Sequence, residues 1–111
     1  MNRIFIIAAL LLTACGGQPA SSAGTTDSPV LASTTLLADV AQNVAGERFR
    51  VLSLLPIGAD PHSYQPAPQD VTKIAASRLL IVNGAGYERF LDALLESAGG
   101  KREIVVASSG L

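Results

Sequence analysis

At 111 residues the chain has room for one small domain. Its net charge is −1, and its eight basic and nine acidic side chains are scattered, which excludes a nucleic-acid surface built on a basic patch. A single cysteine, Cys15, excludes an intramolecular disulfide, and a single histidine, His62, leaves no second imidazole within these 111 residues.

Residues 1–14 read as a secretion signal. Met1-Asn2-Arg3 carries one positive charge, and residues 4–12 are an unbroken apolar run. That length fits the apolar region of a signal, about 7–15 residues, and falls short of the roughly 20 residues that span a bilayer as a helix. The run closes on Leu12-Thr13-Ala14-Cys15, which resembles the lipobox of bacterial lipoproteins. The resemblance implies cleavage before Cys15 and lipidation of its thiol, which removes Cys15 as a metal ligand or nucleophile. Residues 16–29, GGQPASSAGTTDSP, are small, polar and aperiodic. They read with Cys15 as a lipidated, flexible tether, spanning roughly 20 Å as a random coil.

The folded part is expected over residues 30–111. Val30-Leu31-Ala32 is a short apolar strand, and Ser33 or Thr34 can cap the helix after it. Leu36, Leu37, Val40, Ala41 and Val44 recur at helical spacing until Gly46 stops the run. Residues 49–55 predict a second strand, ended by Pro56. Pro68 suits the first position of a second helix, with Asp70 in its first turn and Val71, Ile74, Ala75 and Arg78 marking its inner face and end. Residues 79–82 are apolar throughout, as expected of a strand covered on both faces. Tyr87, Phe90, Leu91, Leu94, Leu95 and Ala98 predict a third helix, ended by Gly99-Gly100, and residues 103–106 a fourth strand. The order β-α-β-α-β-α-β defines an α/β fold: a parallel sheet with right-handed crossovers, flanked by helices. Ligands of such sheets bind beyond the carboxyl ends of the strands. The loops after the second and third strands both fall on that rim.

The loop after the second strand, GADPHSYQPAPQD, holds His62. Pro56, Pro61, Pro66 and Pro68 stiffen it, so it loses less entropy on folding than an ordinary loop. A neutral imidazole is a common metal ligand. Asp60 could orient that ring or cap a turn, and Asp70 serves its helix N-terminus. Gly84-Ala85-Gly86 sits where a dinucleotide fingerprint would, but the third glycine of G-x-G-x-x-G is replaced by Arg89. A tight turn is the simpler reading. Ser33-Thr34-Thr35 could present hydroxyls to the rim or act as helix caps. One histidine gives neither a triad nor the three protein ligands of an ordinary zinc site.

The histidine loop resembles the first metal-binding loop of the zinc/manganese ABC-transporter solute-binding lipoproteins (cluster A-I), whose pattern is P-x-G-x-D-P-H-x-Y/F-E-P-x-P-x-D. Pro56, Gly58, Asp60, Pro61, His62, Tyr64, Pro66, Pro68 and Asp70 match it, and Gln65 stands where the family carries Glu. The segment ASRLLIVNGAGYERFLDALLESAG is similar to the family's "a-D-l-v-…-N-G-x-G-l-E" and following helix, and VVASSGL to its "V-x-x-S-x-G-I".

The resemblance implies two α/β lobes joined by a long helix, with the metal held between them. It makes His62 the first ligand, and Asp60, Pro61, Tyr64 and Gln65 the residues that shape its loop. The remaining ligands are expected beyond residue 111, so residues 30–111 read as an incomplete N-terminal lobe with one flank uncovered. The implied function is capture of Zn²⁺ or Mn²⁺ by a lipid-anchored, extracytoplasmic (periplasmic or outer-face) receptor that delivers it to the membrane subunits of an ABC permease, without enzyme activity. The rival expectation is a surface lipoprotein half-domain acting only in adhesin-like protein contact.

Overall fold

The computed structural model describes residues 29–111. The secretion signal, Cys15 and the tether up to residue 28 lie outside the described residues. Seven elements follow in chain order: β1 (Val30–Ala32), α1 (Thr35–Ala45), β2 (Val51–Ser53), α2 (Pro68–Ala76), β3 (Leu79–Val82), α3 (Leu91–Ala98) and β4 (Glu103–Val106). The strands form one parallel sheet in the order β2-β1-β3-β4, as the alternation of elements predicts. Val30 pairs with Val51 on one side and Leu79 on the other, and Leu79 pairs with Glu103.

Alternation along the strands divides the core in two. Leu31, Leu80 and Val82 face one side, where they pack with Ile74 of α2 and Leu91 and Leu94 of α3. Val30, Ala32, Leu79 and Ile81 face the other side, against Ala45, Leu37 and Ala41 of α1. The crossover from β1 to β2 therefore runs over one face and the later crossovers over the other. The chain changes direction between β1 and β3, and the carboxyl ends of those two strands flank the crevice where open parallel sheets take their ligands.

β1, β3 and β4 have the bounds predicted from the sequence. Three other elements differ. β2 pairs only over Val51–Ser53, because Leu54 and Leu55 already donate to Ala32 and Ser33 at the end of β1 and turn into the loop. α2 ends at Ala76: the Ser77 backbone N–H and hydroxyl both bond the Ile74 carbonyl, which leaves Ala75 and Arg78 exposed rather than on the inner face. α3 starts at Leu91, four residues after the expected Tyr87, because residues 83–90 are drawn into turns around the Glu88 carboxylate.

α1 is capped by Thr34, whose Oγ1 accepts the Leu37 N–H. Its predicted apolar face is only half used. Leu36, Val40 and Val44 are 70%, 53% and 81% exposed. Val40 and Val44 border an open apolar groove completed by Leu79, Ile81 and Ala107. At the sheet's edge, Ile104, Val105 and Val106 of β4 are also exposed. Among the described residues, apolar side chains are thus left exposed along α1 and β4.

Candidate metal centre

The His62 loop is tied down at both ends. At its start, Asp60 closes a turn: Oδ1 accepts the His62 backbone N–H at 3.0 Å and Oδ2 accepts the Ser63 hydroxyl at 2.7 Å. Of the two roles read for Asp60, the geometry shows the turn cap. The Ser63 hydroxyl, then the His62 backbone N–H, hold its carboxyl below the usual carboxylate range.

At the loop's far end, Asp70 is completely buried. Its Oδ2 accepts the Tyr64 hydroxyl at 2.7 Å and the Ala67 N–H at 2.9 Å, and its Oδ1 accepts Lys73 Nζ at 2.9 Å. Asp70 therefore serves the start of α2, as expected, and also anchors the loop through Tyr64. Burial pushes the Asp70 carboxyl up, but the bonds from Tyr64, Ala67 and Lys73 outweigh it and the net shift is downward. The same bond, with burial, pushes the Tyr64 phenol up to about 12. The Tyr64 ring packs edge-on against Phe90 at 5.2 Å between centroids. Pro61, Pro56 and Ala59 roof a cavity of about 130 Å³ whose other walls include Thr34, Asn83 and Tyr87. Gln65 is exposed.

Between these anchors the His62 side chain stands exposed at the rim. Its imidazole meets the Tyr87 ring edge-on, with centroids 4.9 Å apart and planes at 68°. Among the described residues, no group of three His, Cys, Asp or Glu side chains is placed to hold a metal ion. His62 can supply one corner of a coordination shell and no more.

The residue that organises the crevice beside it is Glu88, only 8% exposed. Oε1 accepts the Ser33 hydroxyl at 2.5 Å, the Asn83 backbone N–H at 2.6 Å and Asn83 Nδ2 at 2.8 Å, and Oε2 accepts the Gly84 N–H at 3.2 Å. Burial pushes this carboxyl up, and the four bonds more than offset it, leaving it below its ordinary value. Ser33 is thus a crevice residue and Thr34 the helix cap, a division between them that the sequence left open. The Asn83 and Gly84 N–H groups are occupied, and no helix opens at Gly86, so the glycine turn has no dinucleotide geometry. Gly84, at φ +82°, is required sterically: a Cβ there would run into Val106 Cγ1 and Ser108 Oγ. Sequence reasoning carried Glu88 only as a letter of a motif. The available signal was an acidic residue four places after an Asn-Gly pair at a strand end.

Fold and rim together define a class: a parallel α/β lobe whose rim offers an imidazole from one loop and a carboxylate-braced turn from the next. Within that class, the chain belongs to the periplasmic zinc-uptake complex component A (ZnuA) family, whose model matches residues 30–111. It is 34% identical over 85 residues to the metal ABC transporter substrate-binding lipoprotein SsaB of Streptococcus sanguinis, covering 77% of this chain and 28% of that protein. It is 35% identical over 95 residues to the manganese-binding lipoprotein MntA of Halalkalibacterium halodurans, covering 85% of this chain and 32% of that protein. Among solved structures, the Mn-bound periplasmic metal binding protein of Candidatus Liberibacter asiaticus superposes with a TM-score of 0.68 at 29% identity, over 75% of this chain and 31% of that one. Zn(II)-bound AdcA of Streptococcus pneumoniae shares the fold, with a TM-score of 0.65 at 21% identity over 75% of this chain and 18% of that one. The chain thus spans about a third or less of the length of these relatives.

Proposed function

We propose that the chain forms part of the N-terminal lobe of an extracytoplasmic solute-binding protein that captures Zn²⁺ or Mn²⁺ for an ABC permease. The observation that carries this reading is the exposed His62 imidazole, held at the carboxyl rim by a proline-rich loop anchored at both ends, in a member of this family. The relatives' names as metal-transporter lipoproteins support the cargo, the permease partner and the extracytoplasmic location. In this reading residues 1–14 are the signal, Cys15 carries the lipid, residues 16–29 are the tether, and residues 30–111 are the partial lobe. His62 is the first ligand, with Asp60, Pro61, Tyr64 and Gln65 shaping its loop. The protein binds and releases and carries out no chemistry on its cargo. Its choice of metal follows from the ligands that complete the shell, because added imidazole suits zinc and added oxygen suits manganese.

Equilibrium dialysis of the full chain against Zn²⁺ and Mn²⁺ tests this. Because the chain offers one imidazole, uptake is read at high metal concentration, where His62→Ala is expected to lower it. Equal uptake by both chains would remove His62 from the site and leave the contact-only half-domain as the better reading.

A further inference from the structure

We propose that Tyr87 is a positioning residue that fixes the orientation of the His62 imidazole for metal capture, an inference that rests on His62 being a metal ligand. The His62 backbone is held by Asp60, but that bond leaves the side-chain torsions of an exposed residue free. The ring contact of His62 is with Tyr87, at 4.9 Å and 68°, the edge-to-face arrangement that aromatic pairs favour. The two rings come from different loops, after β2 and after β3, so the contact also bridges the rim.

Tyr87 is itself mounted on a rigid base. Its N–H closes a turn onto the Gly84 carbonyl at 3.0 Å. Gly84, Ala85 and Gly86 lie in succession at φ +82°, +53° and +73°. Ala85 is a residue with a Cβ in the left-handed region, a strain that persists where the surroundings enforce it and that concentrates at functional sites. Glu88, next in the chain, is clamped by four hydrogen bonds. Tyr87 is 41% exposed, a large ring kept at the surface beside the imidazole. A ring locked before the ion arrives spares the ordering cost on binding.

Nuclear magnetic resonance of the full chain tests this, first without metal and then during titration with Zn²⁺ up to the millimolar range that a single imidazole requires. In the metal-free parent, the His62 ring protons are expected to carry a ring-current displacement and cross-peaks to Tyr87. Tyr87→Phe is expected to keep both, because the edge contact does not use the hydroxyl. Tyr87→Leu is expected to lose both and to weaken Zn²⁺ binding by about two- to tenfold, the worth of one aromatic pair. Unchanged Asn83 and Gly84 amide resonances in Tyr87→Leu would show that the turn is intact and the loss local. Parent-like His62 resonances and Zn²⁺ affinity in Tyr87→Leu would overturn the proposal. A Zn²⁺ response that is absent, or that survives His62→Ala while the ring-current displacement is present in the parent, would instead overturn the ligand reading beneath it, and the positioning role with it.

Discussion

At the scale of single residues, two buried carboxylates hold the rim, and each is surrounded by donors. Removing Glu88 as Glu88→Ala strands the Ser33 hydroxyl, which has no exposure, and the Asn83 N–H. Unpaired buried groups cost about 1–3 kcal/mol each, so a loss of about 3 kcal/mol is expected in urea unfolding. The pH dependence follows from the depressed carboxyls of Asp70 and Glu88. A lowered folded pKa contributes stability that is present above the unfolded value, about 4, and is lost as pH falls through the folded value. Acid unfolding is therefore expected to begin below about pH 4, and Glu88→Gln is expected to flatten that limb of the stability profile. At the other extreme, Tyr64 has a raised pKa of about 12. The stability it contributes is complete below its unfolded value near 10 and is lost as pH rises to 12. An alkaline titration of phenolate absorbance is expected to show a step near pH 12 that Tyr64→Phe removes.

At the scale of elements, what could be read from the sequence divides by whether a local pattern or a distant partner decides the outcome. β1, β3 and β4 were legible because each is a short apolar run stopped by residues that leave the strand. The start of α3 was not legible. The apolar spacing continues back to Tyr87, but the Glu88 carboxylate is captured by Ser33, a residue 55 positions away, and the backbone before Leu91 follows it into turns. The histidine loop was legible as a stiff segment, yet its anchor on Asp70 through Tyr64 depends on a side-chain direction that spacing does not reveal. α1 carries a wider apolar stripe than its share of the sheet can cover. The two sides of the core should therefore respond differently to truncation. Ile74→Ala, at a residue with no exposure, is expected to cost about 2–5 kcal/mol by chemical unfolding. Val44→Ala, at 81% exposure, is expected to stay within about 0.5 kcal/mol.

At the scale of the whole molecule, the two faces of the sheet are unequal. α2 and α3 close one face, while the other keeps an apolar groove beside α1, and β4 exposes Ile104, Val105 and Val106. An apolar edge strand is a template for pairing with another chain. Sedimentation of the chain is expected to show association that grows with concentration, and Val105→Lys is expected to suppress it.

The Glu88 clamp also sets the electrical polarity of the crevice. Backbone amides at the carboxyl end of a parallel sheet ordinarily make a cradle for anions such as phosphates. Here an internal carboxylate already fills that cradle at Asn83 and Gly84, so an incoming phosphate would meet spent donors and like charge. By supplying its own counter-ion, the lobe closes to phosphates a cradle that this architecture would otherwise offer them.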